Sequence, residues 1–326
     1  MKPPAQIQHL CQAFLDGLKA VLGEKLCGVY LYGALAFPEG GSTGDIDFHV
    51  ILDEPLSDTE KSQLHDLHRA LARDFPPLEG AYLFNLPLDF ESDLPEGEPG
   101  DRLRRQFADH QIHLSASGSV VTQVRDGRWQ IDDLPAHRSY VLLQEGETIS
   151  IYGDALDGYY ILLQDARQIL PPQHQLLPGV SDDSWALHRQ HMRAGRCIVL
   201  HGPHPRQVYP RATWPELASA LQGELDYVEK HLDVYPQYCV LNLCRLMYSH
   251  ATRDVVVSKR MSAAWACDAF PQWSALIEAA RKAYDRRATT QDKELLQSGV
   301  ATFFDFACQR IQESLGATGA GPSPPV

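Results

Sequence analysis

The stretch that most constrains the fold is LYGALAFPEGGSTGDIDFHVIL, at residues 31–52. One apolar run ends at Gly33, a loop rich in Gly, Pro and Ser follows, and a second apolar run occupies Ile46–Leu52. Short apolar runs bounded by turn-forming residues are typical of buried strands rather than of helices. The stretch therefore predicts two strands of one sheet, joined by a polar loop at the sheet edge.

Helical patterns flank these two strands. Apolar residues recur at helical spacing over residues 7–23. Ser57 and Glu60 form a capping-box pattern at the start of a second helical segment. A third strand is predicted at residues 81–88. The order helix, strand, loop, strand, helix, strand indicates a small mixed-sheet domain over residues 1–96.

Residues 97–180 have the pattern of a β-rich insertion. The pairs Asp126-Gly127 and Glu145-Gly146 each separate two strand-like runs, which is the sequence signal of a β-hairpin. We therefore predict hairpins over residues 120–131 and 140–152.

The remainder of the chain, residues 181–315, has the periodicity of an all-helical domain. The predicted helices cover residues 184–195, 215–232, 236–251, 258–270, 272–285 and 289–315. The last residues, 316–326, are rich in Gly and Pro and predict a disordered tail. The expected fold class is α+β, with a mixed-sheet domain, a β-rich insertion and a helical domain in that order.

Charge and composition narrow the range of partners and compartments. Acidic residues outnumber basic ones 42 to 29, giving a net charge of -13. Such a surface repels phosphate backbones, so nucleic acid is a disfavoured partner, whereas cationic small molecules are favoured. The seven cysteines include no CxxC pair, and no apolar run has the length of a membrane span. We expect a reducing aqueous compartment, the cytoplasm, and no membrane partner.

Asp45 and Asp47 are the strongest candidates for chemistry. They lie two residues apart at the start of a predicted strand, so both side chains leave the same face. Ile46, Phe48 and Val50 then point to the core. Two neighbouring carboxylates repel each other unless a cation lies between them, and hard oxygen ligands suit Mg²⁺. A bare Asp-x-Asp is more often a solvated cap, but the apolar strands and Gly-rich loop around it favour a functional site.

Four histidines have a spacing that could suit a metal, and His49 could line the nucleotide site. His188 and His191 lie three residues apart on a predicted helix, and His110 and His113 have the same spacing. With no third ligand in either motif, we interpret these four as surface or core residues. His49 follows Asp47 on the same strand face. No GxSxG, Walker or GxGxxG motif is present in the sequence.

The spacing of Gly33, Asp45 and Asp47 resembles the signature of the polymerase-β nucleotidyltransferase superfamily. The motif YLYGALAFPEGGSTGDIDFHV is most similar to that of the streptomycin/spectinomycin adenylyltransferases. A second, distant stretch, VLNLCRLMYSHATRDVVVSKRMSAAWACDAFP at residues 240–271, resembles the helical domain of the same enzymes. The resemblance covers roughly residues 7–90 and 185–312.

The resemblance implies a role for each matching acidic residue. Asp45 and Asp47 would hold Mg²⁺ at the triphosphate of ATP, and Glu79 would be the general base. Gly33 and Ala34 would line the nucleotide, although Ala34 replaces the usual Ser, whose hydroxyl helps to hold a phosphate.

In the helical domain, the resemblance implies that Arg245, Lys259 and Tyr284 contact the nucleotide. The implied reaction moves AMP from ATP to a hydroxyl of a small cationic acceptor such as an aminoglycoside. The segment before residue 240 departs from family members that act on streptomycin. It contains Glu229 and Asp233 but no Trp, and Tyr235 replaces an acidic residue.

Two alternatives remain open from the sequence. Ala34 and the altered acceptor segment would also suit a catalytically impaired nucleotide-binding regulatory protein. A protein acceptor, recognised by residues 97–180, is the second alternative. The retention of Asp45, Asp47 and Glu79 favours an active enzyme. The sequence does not determine the oligomeric state.

Overall fold

The computed structural model describes residues 3, 7–38, 46–75, 119–125, 128–133, 138–145, 148–153, 156–176, 179, 181–233, 235–285 and 287–317. Elements in the first part are α1 (Gln8–Leu22), β1 (Leu26–Leu31), β2 (Ile46–Leu52) and α2 (Asp58–Asp74). Strands β3 (Ser119–Arg125), β4 (Arg128–Asp133), β5 (Arg138–Glu145) and β6 (Thr148–Gly153) follow.

The next part of the chain returns to the first sheet before the helical region begins. Its elements are β7 (Leu156–Leu162), α3 (Leu163–Ala166), α4 (Trp185–Arg193), β8 (Ile198–His201) and α5 (Pro205–Val208). The helical region consists of α6 (Trp214–Lys230), α7 (Pro236–Thr252), α8 (Lys259–Ala269), α9 (Ser274–Tyr284) and α10 (Thr290–Ala317).

The first sheet has the strand order β7-β2-β1-β8 and is mixed. Strand β1 pairs antiparallel with β2 and with β8, whereas β2 pairs parallel with β7. β7 lies within the insertion predicted at 97–180, yet it completes this sheet. The sheet is therefore built from segments on both sides of the hairpins, and the domain limits drawn from the sequence stay predictions.

Different elements pack against the two faces of the first sheet. On one face, Phe48 and Val50 pack with the apolar stripes of α1 and α2 in a fully buried core, as the alternation in β2 predicted. On the other face, Ile51 and Ile161 pack with Trp185 from α4 and with Tyr209. Alternate residues of β2 therefore point to opposite faces of the sheet. Asp47 and His49 point to the face that packs with Trp185 and Tyr209.

Helix α2 begins with the capping box that the sequence predicted. The Ser57 side chain accepts from the backbone N–H of Glu60, and the Glu60 carboxylate accepts from the backbone N–H of Ser57. Lys25 also donates to Glu60, at 3.0 Å. These hydrogen bonds lower the pKa of Glu60 to about 2. Two orphan donors of the first turn are thus satisfied, which fixes where the helix starts.

The second sheet consists of β3, β4, β5 and β6 in sequence order, and every pair is antiparallel. Its two outer pairs match the two hairpins predicted around residues 126–127 and 145–146. The strand predicted at 81–88 and the tail beyond residue 317 lie outside the described residues.

Five helices, α6 to α10, enclose a separate apolar core. Helix α7 supplies more of its buried side chains than any other of these helices, including Cys239, Val240, Leu243 and Cys244. The ends of these five helices differ from the predicted ends by at most two residues, as is usual for helix ends. The α+β class and the order of its parts are confirmed. Among helices in the described part, none has both the length and the apolar character needed to cross a membrane.

Two glycines test the packing of the first sheet. A Cβ on Gly158 in β7 would lie 2.0 Å from the backbone oxygen of Phe48, whereas a Cβ on Gly223 in α6 would meet nothing within 4 Å. Gly158→Ala should force β2 and β7 apart and destabilise the protein by about 2 kcal/mol or more. Gly223→Ala should stabilise it by about 0.5 kcal/mol through helix propensity. Urea unfolding measures both, and similar effects of the two variants would contradict this account.

Candidate active site

Gly33 and Asp47 meet at the end of the first sheet. Gly33 has a φ of 68°, which favours glycine, and opens a short 3₁₀ turn, Gly33–Ala36. A Cβ at this position would lie 1.6 Å from Oδ2 of Asp47. The backbone N–H of Tyr32 donates to the carbonyl of Asp47 at 2.9 Å. The absence of a side chain on Gly33 thus provides the space that the Asp47 carboxylate occupies.

Asp157, on β7, lies beside Asp47 and was not found from the sequence. The two residues are partners in the parallel register of β2 and β7, so both side chains leave the same face of the sheet. Both carboxylates also raise the pKa of the buried Tyr32 hydroxyl, after burial itself and Asp182. The available signal was an aspartate at the start of the apolar run LDGYYIL, which parallels the one in IDFHVIL.

A cluster of His49, Asp182 and His188 is packed against the same face of the sheet. His49 and Asp182 are fully buried, while His188 is half-buried at the surface of α4. Nδ1 of His188 lies 2.7 Å from Oδ2 of Asp182, and Nε2 of His49 lies 3.7 Å from the same oxygen. The ring of Tyr32 packs against both imidazoles, with centroids 4.6 and 4.7 Å away.

Charge in this cluster is concentrated on Asp182 and His188. Burial raises the pKa of the Asp182 carboxyl, but the two histidines outweigh it and hold that pKa well below its usual range. Burial lowers the pKa of His188, yet Asp182 and, more weakly, Asp47 and Glu224 raise it overall. For His49 burial prevails, and its pKa is lowered. His188 is therefore the positive group between three carboxylates.

Glu224 on α6 connects this cluster to the helical region. Its carboxylate accepts hydrogen bonds from Ser184 Oγ and from Asn242 Nδ2, the latter at 2.9 Å. Burial raises the pKa of Glu224, but Arg245, these hydrogen bonds and His188 together lower it. The carboxylate is therefore charged, and its field reaches both the imidazole on α4 and the guanidinium on α7.

Lys259 and Tyr284 lie in the helical region, at the start of α8 and the end of α9. Lys259 is the first residue of α8, which Ser258 caps by accepting from the N–H of Met261 at 3.1 Å. Its Nζ lies 4.4 Å from the ring centroid of Tyr238 and 5.5 Å from that of Tyr284. Two aromatic faces thus hold the ammonium group at the end of the helix.

The described residues predicted for the site lie in two parts of the fold. Gly33, Ala34 and Asp47 lie at the first sheet, and Arg245, Lys259 and Tyr284 lie in the helical region. The charges of His188 and Glu224 act between Asp47 and Arg245, and Lys259 lies against Tyr238 and Tyr284. Asp45 and Glu79 lie outside the described residues, so their predicted roles stay predictions.

The remaining histidine candidates have structural roles or lie outside the described residues. Nε2 of His191 lies 2.7 Å from the carbonyl oxygen of Val255, and burial lowers the pKa of His191 to about 3. It is a core residue, as the sequence suggested, and does not share a ligand position with His188. The structure instead combines His188 with His49 and Asp182. His110 and His113 lie outside the described residues.

The fold and the site define an α+β nucleotidyltransferase-like protein with a helical C-terminal domain. Residues 207–310 match the sequence model of the C-terminal domain of aminoglycoside adenylyltransferases. No curated protein matches the chain in sequence.

Among solved structures, the chain is similar to spectinomycin adenyltransferase AAD(9) from Enterococcus faecialis, determined with ATP and spectinomycin. The match has a TM-score of 0.58 and 11% sequence identity, and it covers 93% of this chain and 98% of the other. At this identity it shows the shared fold. Together with the family match, it confirms the similarity to the aminoglycoside adenylyltransferases.

Asp182 and Asp183 provide a matched pair for testing the buried cluster. Asp182→Asn removes the charge that pairs with His188 in a buried setting and should destabilise the protein by about 3 kcal/mol. Asp183 is exposed, so Asp183→Asn should change stability by no more than about 0.5 kcal/mol. Urea unfolding at neutral pH measures the difference. An equal effect of both substitutions would show that the cluster contributes nothing to stability.

Proposed function

We propose that the protein is a Mg²⁺-dependent nucleotidyltransferase that moves AMP from ATP to a hydroxyl of a small cationic acceptor such as an aminoglycoside. The observation that carries the proposal is the in-register placement of Asp47 and Asp157. On the helical side, Arg245 acts on the charge of Glu224, and Lys259 lies against Tyr238. Carboxylates on one side and cations on the other suit a metal-bound triphosphate.

Asp47 and Asp157 fit a divalent cation. Paired residues on adjacent strands place like charges side by side, and such charges repel unless a cation offsets them. The Asp47 carboxylate also lies in a cradle that a Cβ on Gly33 would fill. Asp45, two residues earlier in the sequence, is proposed as a further ligand. Mg²⁺, when bound there, would offset phosphate charge during the displacement.

The chain's own residues bind and orient the reactants in this proposal. The acceptor hydroxyl oxygen forms a bond to the α-phosphorus of ATP while the bond from that phosphorus to the bridging oxygen breaks and pyrophosphate leaves. Glu79 is proposed to take the hydroxyl proton. Arg245 and Lys259 would offset the charge of the phosphates, and Tyr284 would contact the nucleotide.

Ala34 changes one contact expected from the family pattern without removing the turn. Its carbonyl accepts from the N–H of Phe37 at 3.2 Å, so the turn that begins at Gly33 closes without a serine hydroxyl. Backbone N–H groups in such a turn remain available as phosphate donors. We propose weaker, but not abolished, phosphate contact at this position.

The acceptor segment combines negative charge with stacked aromatic rings. Tyr227 stacks on His231 at 4.0 Å between centroids, and His231 stacks on Tyr235 at 6.0 Å. Glu229 and Asp233 are exposed beside them. This surface offers fewer carboxylates than the family pattern for streptomycin. A ring-shaped acceptor with modest positive charge therefore fits it better than a highly cationic one.

Label transfer from ATP tests the proposal directly. The protein is incubated with Mg²⁺, ATP labelled at the α-phosphate and a panel of aminoglycosides and aminocyclitols. Asp47→Asn should reduce transfer by about 100-fold or more, because it removes a carboxylate proposed to bind the Mg²⁺ that offsets the phosphate charge. Asp53→Asn, at the exposed far end of β2, should leave transfer unchanged.

The other outcomes identify the alternatives. ATP binding without label on any acceptor would support the alternative of a catalytically impaired nucleotide-binding regulatory protein. Label on a protein would support a protein acceptor. Transfer that is equally fast in Asp47→Asn would contradict the proposed metal site, whichever acceptor is used.

A comparison of Gly33→Ala with Gly195→Ala distinguishes loss of the space beside Asp47 from backbone strain. Both glycines have positive φ, 68° and 86°, so each substitution should cost about 1–2 kcal/mol of stability. Only the Cβ on Gly33 meets Asp47, since that on Gly195 meets nothing within 4 Å. Gly33→Ala should therefore lower kcat by about 10- to 100-fold, whereas Gly195→Ala should retain it. Equal kcat values for the two variants would refute the cradle.

A further inference from the structure

His49, Asp182 and His188 bring three potential ligand atoms together from distant parts of the sequence. His49 lies on β2, Asp182 precedes α4, and His188 lies on α4. One ligand atom from each residue lies within 4.8 Å of the other two. Two imidazole nitrogens and one carboxylate oxygen form a donor set used by borderline divalent ions such as Zn²⁺.

The distances within the cluster are close to those of a coordinated ion. Bonds of about 2.0–2.1 Å in a tetrahedral zinc site separate neighbouring ligand atoms by roughly 3.3 Å. The two distances to Oδ2 of Asp182 are 2.7 Å from His188 Nδ1 and 3.7 Å from His49 Nε2, one on each side of that value. The three ligand atoms lie within 4.8 Å of one another, so the widest separation would have to close by up to about 1.5 Å. Metal binding would also displace the proton that His188 Nδ1 shares with Asp182.

The ring of His49 presents a buried nitrogen to this position. Within the described part of the chain, Nε2 of His49 has no hydrogen-bond partner, although its side chain is 0% exposed. Such a group is costly unless something occupies its lone pair. Its other nitrogen, Nδ1, lies 3.3 Å from the hydroxyl of Tyr209. A proton on Nδ1, donated to Tyr209, leaves Nε2 as an acceptor aimed at the cluster.

A supporting shell orients the other two ligands. The backbone N–H of Ser184 donates to Oδ1 of Asp182 at 3.0 Å, which leaves Oδ2 facing the histidines. The rings of Tyr32 and Trp185 pack against His49 and reduce access of water on that side. The His188 side chain is 26% exposed, so the ion has a route of entry and an open coordination position.

We infer that His49, Asp182 and His188 form a binding site for a borderline divalent metal ion of the Zn²⁺ class, separate from the Mg²⁺ site proposed at Asp47. The inference does not depend on the proposed transfer reaction. A bound ion would join α4 to β2 two residues from Asp47, and would thereby hold the strand that carries this carboxylate. Excess Mg²⁺ would not displace it, because Mg²⁺ prefers oxygen ligands and imidazole does not suit it.

Competition with a chromophoric chelator in excess Mg²⁺ measures Zn²⁺ binding to the full chain. The wild type should bind a single Zn²⁺ ion tightly. Asp182→Asn and His188→Gln should each weaken binding by more than about 100-fold, and Tyr209→Phe, which removes a supporting hydrogen bond, by about tenfold. Asp183→Asn and His9→Gln, at exposed positions, should bind as the wild type does.

Two further measurements keep the inference testable if a ligand variant does not fold. Co²⁺ added to the wild type should give the strong visible bands of a site with low coordination number, and a weak octahedral spectrum would overturn the inference. Asp47→Asn should retain Zn²⁺. Loss of Zn²⁺ in that variant would place the ion at the Asp47 site instead and would also overturn it. Equal Zn²⁺ binding by the wild type and Asp182→Asn would also overturn the inference.

Discussion

The repulsion between two carboxylates is the constraint on which the site depends. Asp47 and Asp157 are register partners on adjacent strands, which lie about 4.8 Å apart in a sheet. The backbone pairing fixes their positions, so the pair cannot separate to relieve its charge. One described source of positive charge is His188 on α4, whose pKa is raised by Asp182 and more weakly by Asp47. Helix α4, which packs on this face, therefore supplies positive charge near the carboxylates of the sheet.

The two faces of the sheet show how a polar site is tolerated in a buried setting. Phe48 and Tyr160, on one face, are apolar anchors in the core formed with α1 and α2. On the other face, Asp182 and His49 are buried among aromatic rings, and a buried charge is stable only when it is paired. Stability on the first face comes from apolar area, while order on the second depends on hydrogen bonds of defined direction.

Local patterns predicted the local structure well. The capping box at Ser57, the two hairpins and the helices of the C-terminal region depend on neighbours within a few residues, so the sequence contained the necessary signals. The pairing of β7 with β2 has no local signal, because either strand could pair elsewhere by pattern alone. Asp157 was missed for this reason, since its register partner Asp47 is more than 100 residues away in the chain. Asp182 is six residues from His188, but its other partner, His49, is also more than 100 residues away.

Helix α4 shows why the polar connection between the two halves matters. Trp185 and Met192 belong to the core on the sheet, whereas Ala186 and Leu187 belong to the helical core. Apolar packing alone would allow the two halves to slide, since it is non-directional. The ion pair of the buried Arg189 with Glu216 on α6, and the cluster around Asp182, have fixed geometry. A nucleotide whose phosphates need Asp47 and Lys259 together would therefore bind to halves that are already aligned, and less binding energy would be lost in ordering them.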